Sequence, residues 1–148
     1  MKKMTRKIAV GAAAAVAAVG LGAVVAPSPA LAYSASALCG DNYHNIDSHT
    51  LSHNGSTVAV IYLSYNGSTD CVVTEKFQLT SFGTITGAWV QPEGSSKTSD
   101  ESYYNSYAGP VRRSAPGTCI KWGGDATYHV SGDTYALLSW TSDWSHCG

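Results

Sequence analysis

The chain has 148 residues, 44% of them hydrophobic and 13% charged, with a formal net charge of −1. That length supports one ordinary domain. The charge balance excludes the basic footprint that nucleic-acid binding needs.

In chain order, Lys2, Lys3, Arg6 and Lys7 precede an unbroken apolar run over residues 8–26, which Pro27 and Pro29 end. Ala30-Leu31-Ala32 fits a small-residue cleavage site, so residues 1–32 read as a secretory signal peptide cut before Tyr33. A run of this length approaches a membrane span. Gly20, Gly22, the mild hydrophobicity of alanine and the cleavage pattern favour removal instead. Residues 33–148 then form a single β domain with five basic and ten acidic side chains, a net charge of −5. No nucleic acid, and after cleavage no membrane, is expected as a partner.

Residues 43–51 read as a weak first strand, and Asn54-Gly55 as a two-residue hairpin turn. Residues 57–65 are apolar at both parities: Val58, Val60 and Tyr62 alternate with Ala59, Ile61 and Leu63. Such a strand belongs in the middle of a sheet covered on both sides. Asn66-Gly67 marks the next turn, residues 71–80 alternate with Glu75 breaking an apolar face, and residues 84–91 follow. Residues 93–101 read as the flexible loop of the chain. Residues 103–114 and 118–122 read as a hairpin around Ala115-Pro116-Gly117, closed by Gly123-Gly124. Pro110 lacks an amide donor, which places the first of these strands at an edge or on a bulge. Short strands over residues 126–130 and 135–140, with Gly132-Asp133 between them, complete the chain. Turn signals at this spacing, with no sustained helical period, define an all-β fold: a small antiparallel β-sandwich or barrel.

Cys39, Cys71, Cys119 and Cys147 are an even set in an exported chain, which implies two disulfides. Their spacing lacks any Cys-x-x-Cys pair, so no zinc or other metal site is expected. Cys71 and Cys119 each open a strand-rich segment, while Cys39 and Cys147 lie at the domain's ends. The expected pairs are therefore Cys71–Cys119 and Cys39–Cys147. Loop-closure entropy does not separate the alternatives, so the other connectivities stay open.

His44, His49 and His53 cluster, with His49 and His53 on one strand face, which is fewer ligands than a zinc site requires. Asp47, Ser48 and His49 offer triad chemistry, but successive strand residues point to opposite faces. Asp100-Glu101 is a carboxylate pair in a polar segment, without visible burial to raise a pKa for glycoside hydrolysis. No catalytic residue is therefore assigned, and no cofactor is implied. The aromatic residues Tyr103, Tyr104, Tyr107 and Trp122 are the candidate contact surface. Filling the core of a small domain is their competing role.

Cys71-Val72-Val73-Thr74, Tyr107-Ala108-Gly109-Pro110-Val111, the run from Ala115-Pro116-Gly117 through Trp122-Gly123-Gly124, and the terminal His146-Cys147-Gly148 resemble the spore-associated protein A family of actinomycetes. Asp47-Ser48-His49 adds to the likeness, which covers most of residues 33–148. The resemblance implies export and association with the spore surface, and it carries no catalytic residues. The resulting expectation is a secreted, non-catalytic spore- or cell-surface protein whose partners are spore-envelope or cell-wall components. A carbohydrate-binding module and a secreted enzyme or enzyme inhibitor are the alternatives.

Overall fold

The computed structural model describes residues 34–148; the expected signal segment and Tyr33 lie outside the described residues. One short helix, α1 (Ala35–Cys39), precedes eight strands: β1 (His44–His53), β2 (Ser56–Tyr65), β3 (Thr69–Lys76), β4 (Thr84–Pro92), β5 (Thr98–Tyr104), β6 (Tyr107–Ser114), β7 (Ile120–Ser131) and β8 (Thr134–Thr141). They form two four-stranded antiparallel sheets, A in the order β1-β2-β3-β6 and B in the order β5-β4-β7-β8. The fold is an all-β sandwich.

Period-2 alternation explains the layers. Ala59, Ile61 and Leu63 of β2, Val72 of β3, and Ala88, Val90, Trp122 and Ala126 of sheet B fill the space between the sheets. The other parity of sheet A carries Cys71 and Val73, which α1 covers through Ala35 and Cys39, with Tyr62 and Tyr107 packed alongside. That is why β2 is apolar at both parities. Ser34 caps α1 by accepting a hydrogen bond from the Ala37 amide at 3.2 Å. At five residues the helix is too short to show a period.

At the centre the sheets come within one hydrogen bond of each other: Thr74 Oγ1 of sheet A donates to the Gly87 carbonyl of sheet B at 2.7 Å. Gly124 leaves room for this approach, since a Cβ there would strike Thr74 Oγ1 and the Gly87 carbonyl. Gly123-Gly124 is thus the middle of β7, where close packing requires glycine, and not the end of a strand.

Both open sides of the sandwich are closed. On one, His49 of β1 stacks on Trp140 of β8 at 4.0 Å and 8°, and His53 lies 4.2 Å from Tyr128 of β7. Burial lowers the His49 pKa, with Asp47 acting the other way. On the other side, Asp100 of β5 accepts hydrogen bonds from Tyr104 Oη at 2.6 Å and from the Gly109 amide of β6 at 2.7 Å. Lys76, only 5% exposed, points between the sheets and donates to the carbonyls of Leu79 and Tyr104, both at 2.8 Å. It pins the connection from β3 to β4, and burial lowers its pKa.

The structure corrects several expectations. The hairpin over residues 103–122 does not form: β6 belongs to sheet A and β7 to sheet B. The turn at Ala115–Gly117 is real, with Gly117 at φ 66° and the Thr118 amide bonded to the Ala115 carbonyl, but it is a corner between sheets. A second corner at Asn105-Ser106 splits the expected long strand into β5 and β6. Pro110 does lie on an edge strand, beside a register shift between Val72 and Thr74. Thr98 to Glu101 belong to β5, whose polarity reflects its place at the edge of sheet B. Residues after Lys76 leave β3 for the inter-sheet connection.

The disulfides are Cys39–Cys71 and Cys119–Cys147, replacing the expected pairs. Parity accounts for this. Cys71 points outward from sheet A, where the end of α1 lies on it. Cys119 precedes β7, which the tail rejoins through a bridge between Ile120 and Ser145. Each bond ties an end of the domain to the strand beside it.

Candidate functional site

The four aromatic residues of the expected contact surface do not share a face. Trp122 is 1% exposed and leaves the candidate set. Its parity points it inward, where Val90 is its cross-strand partner and Trp140 meets it edge-on at 4.9 Å. Tyr104 packs on the same core, and its hydrogen bond to Asp100, followed by burial, raises its pKa. Tyr107 packs beside α1 on sheet A. Tyr103 is 72% exposed, on the outer face of sheet B.

That outer face holds the arrangement the sequence did not reveal. Register places Glu101, Gly87, Asp125 and Ser139 in one row across all four strands, because Gly87 pairs with both Glu101 and Asp125, and Asp125 with Ser139. Cross-strand partners lie on the same side of a sheet. The missing side chain of Gly87 opens a hollow into which the Asp125 carboxyl lies; a Cβ there would stand 2.8 Å from Oδ2. Burial first, and then the charge of Glu101 and a hydrogen bond shared with it, push the Asp125 pKa up to about 6, against the opposing pull of Lys97. Asp125 Oδ1 is buried and has no hydrogen-bond partner among the described residues.

The next row is Ser99, Trp89, Gly123 and Thr141. The indole of Trp89 lies against Gly123, whose Cβ would come within 2.7 Å of the ring, and Lys97 Nζ sits 5.1 Å from the ring centre. The first row, with Ser99, Trp89 and Lys97, lines a hollow of about 430 Å³. Tyr103, Ile85, Thr127, Phe82 and Tyr135 line a second hollow of about 230 Å³ on the same sheet. The chemistry available is an aromatic platform, two carboxylates, hydroxyls and an ammonium on one solvent-facing strip. A glycine inside an alternating strand at Gly87, and a lone Asp125 after a Gly-Gly pair, were its only sequence signals.

The remaining candidates are dispersed. Asp47 Oδ1 accepts from the next residue's amide, Ser48 N, at 2.8 Å, and the His49 ring is turned onto Trp140. Asp47, Ser48 and His49 therefore diverge. A different chain of contacts runs from Ser145 Oγ to His146 Nδ1 at 2.9 Å and from His146 Nε2 to Asp47 Oδ2 at 3.6 Å. The second separation exceeds hydrogen-bond range. His44 is exposed, and among the described residues no three His, Cys, Asp or Glu side chains gather as a cation site. His146 also lines a cavity of about 250 Å³ at one end of the sandwich, with Ile46, Tyr65, Ala115 and Asp70. Asp70 is 4% exposed, and burial alone pushes its pKa up to about 6. No helix among the described residues is long and apolar enough to cross a membrane.

Fold and faces together define a small two-disulfide β-sandwich with one sheet covered on both sides and the other open to solvent. The chain is 38% identical over 126 residues to Spore-associated protein A of Streptomyces coelicolor, a match spanning 78% of this chain and 79% of that protein. It belongs to the spore-associated protein A family. No family model matches the chain, and no solved structure does.

Proposed function

We propose that residues 33–148 are exported and displayed on the spore or cell exterior, where they act by attachment without catalysing a reaction. The observation that carries this is the 38% identity to a protein named for association with spores. The amino-terminal sequence supports export, and two disulfides in a domain of this size suit an oxidising exterior. A surface role is also consistent with the geometry of the acidic groups. Asp100 is engaged as a structural acceptor. Asp125 and Glu101 flank Gly87 in one row of a sheet face that is open to solvent.

The test is fractionation. An epitope-tagged protein should remain on purified spores through a salt wash and be released by detergent or by breaking the coat. Its mass should correspond to cleavage before Tyr33. Recovery of all of it from the culture fluid, or hydrolytic activity that Asp125→Asn abolishes, would overturn the reading.

A further inference from the structure

We propose that the outer face of sheet B binds an uncharged polysaccharide chain. This rests on the surface-attachment reading above and names the chemistry of the partner. A pyranose ring presents C–H bonds on its flat side and hydroxyls around its rim. It needs an aromatic platform with acceptors and donors set beside it. Trp89, its indole close against Gly123, is the platform. Glu101, exposed on β5, is the acceptor for hydroxyls in the neighbouring row, and the Asp125 side chain borders the same hollow. Ser99 and Ser139 border the same hollow as hydroxyl donors.

The face fits a chain better than a single sugar. From Ser99 to Tyr103 the strip extends four strand residues, about 13 Å. It passes from the Trp89 hollow to the one lined by Tyr103 and Tyr135. Its charges are mixed and do not favour polyions. Lys97 borders the hollow with Glu101 and Asp125, and Lys121, farther along β7, lies over Trp144, so no patch of one sign runs the length of the strip. Most ligand sites combine apolar walls with a few convergent polar groups, and this one does so on a solvent-facing sheet. Lys97 lies over the indole and must swing aside for a sugar to stack there.

The experiment uses the exported protein with both disulfides formed, sedimented with insoluble cellulose, chitin and β-1,3-glucan in 0.5 M NaCl. The expected result is retention on at least one of them at high salt. Trp89→Ala and Ser139→Arg should each weaken that binding at least tenfold. Lys97→Ala should leave it unchanged or tighter. Thr50→Arg, an exposed change on sheet A, should have no effect. Ser139→Arg is a surface change, so it tests the site even where Trp89→Ala proves unstable. Retention on none of the three, retention that salt or Lys97→Ala removes, or equal loss from Thr50→Arg would overturn the proposal. So would self-association through this face, seen as a dimer that Ser139→Arg dissociates. Wild-type protein that stays on spores while binding no polysaccharide would sink this inference alone and leave the surface reading standing.

Discussion

Sheet A and sheet B are built from the same alternation but end differently. Sheet A is covered twice, by sheet B inside and by α1 with the Cys39–Cys71 bond outside. Sheet B is covered once. Its outer face keeps Tyr103 and Leu137 in solvent, and it holds two carboxyls, Glu101 and Asp125, on either side of Gly87. Each sheet holds one carboxyl whose pKa burial pushes up to about 6, Asp70 in sheet A and Asp125 in sheet B, so the difference lies in the cover over the outer faces. The contrast leaves sheet A packed on both faces and sheet B with one face open to solvent, the face proposed above as the contact surface.

The most damaging change should lie where the sheets touch. Gly124→Ala would drive a methyl into Thr74 Oγ1 and the Gly87 carbonyl, both buried. Backbone cannot yield as a flexible side chain can, so a loss of about 3 kcal/mol or more is expected. Gly87→Ala, on the open face, meets only the end of the Asp125 side chain. It should cost about 1 kcal/mol or less. Urea unfolding of the two variants measures this. Equal losses would break the distinction between closed interior and open face.

Opening the covered face of sheet A comes next. Cys39→Ala with Cys71→Ala frees a loop with a sequence separation of 32. The expected loss is about 3–4 kcal/mol from chain entropy. Protease cleavage should then begin within α1, because the helix loses its covalent hold on β3. Peptide mapping of the early fragments reads this directly. First cuts in β5, at the edge of sheet B, would show that α1 docks without the bond.

How much of this was legible in the sequence depends on how local the cause is. The double apolar parity of β2 gave away a strand covered on both sides. Asn54-Gly55 gave away its hairpin, with both residues at positive φ. Turn residues declare only that the chain changes direction, not whether it reverses within a sheet or crosses to the other one. That ambiguity undid the hairpin over residues 103–122 and drew Trp122 into the contact surface. The cysteine count implied two bonds, but their partners depend on which way Cys71 faces and where the tail returns. Glu101 and Asp125 meet only because each pairs with Gly87, so no spacing along the chain announces them.

A smaller effect with the opposite sign should come from Asp70. Its folded-state pKa is raised from 3.8 to about 6 by burial. The folded protein therefore holds this proton more tightly than the unfolded chain. The associated stability is present below about pH 4 and is lost as pH rises through about 6. Two units correspond to about 3 kcal/mol at most. Asp70→Asn should recover about 1–2 kcal/mol at pH 7.5 and flatten the fall in Tm between pH 4 and 7. Asp125 contributes in the same direction. His49 acts in the opposite sense, because its lowered pKa gives stability that is lost as pH falls below its ordinary value of 6.5. A Tm profile that Asp70→Asn leaves unchanged would show that the carboxyl is solvated at the cavity mouth.

The finest test sets one surface residue of each sheet against the other. Arg112 lies on the covered side of sheet A and donates from Nε to the Cys39 carbonyl at 2.9 Å and from Nη2 to the Leu38 carbonyl at 3.3 Å. These carbonyls end α1, where backbone acceptors need an outside partner. Arg112→Ala should therefore cost about 1 kcal/mol, even though its side chain reaches solvent. Ser139 lies on the open face, and among the described residues it makes no side-chain hydrogen bond. Ser139→Arg should change stability by no more than about 0.5 kcal/mol. The two changes alter charge in opposite directions, so unfolding is measured at two salt concentrations to separate packing from the field of a net-negative domain. If Ser139→Arg proves the more costly, the outer face of sheet B is part of the fold's support. If only Arg112→Ala moves the unfolding midpoint, that face is free for a ligand, and any loss of binding in Ser139→Arg belongs to the site.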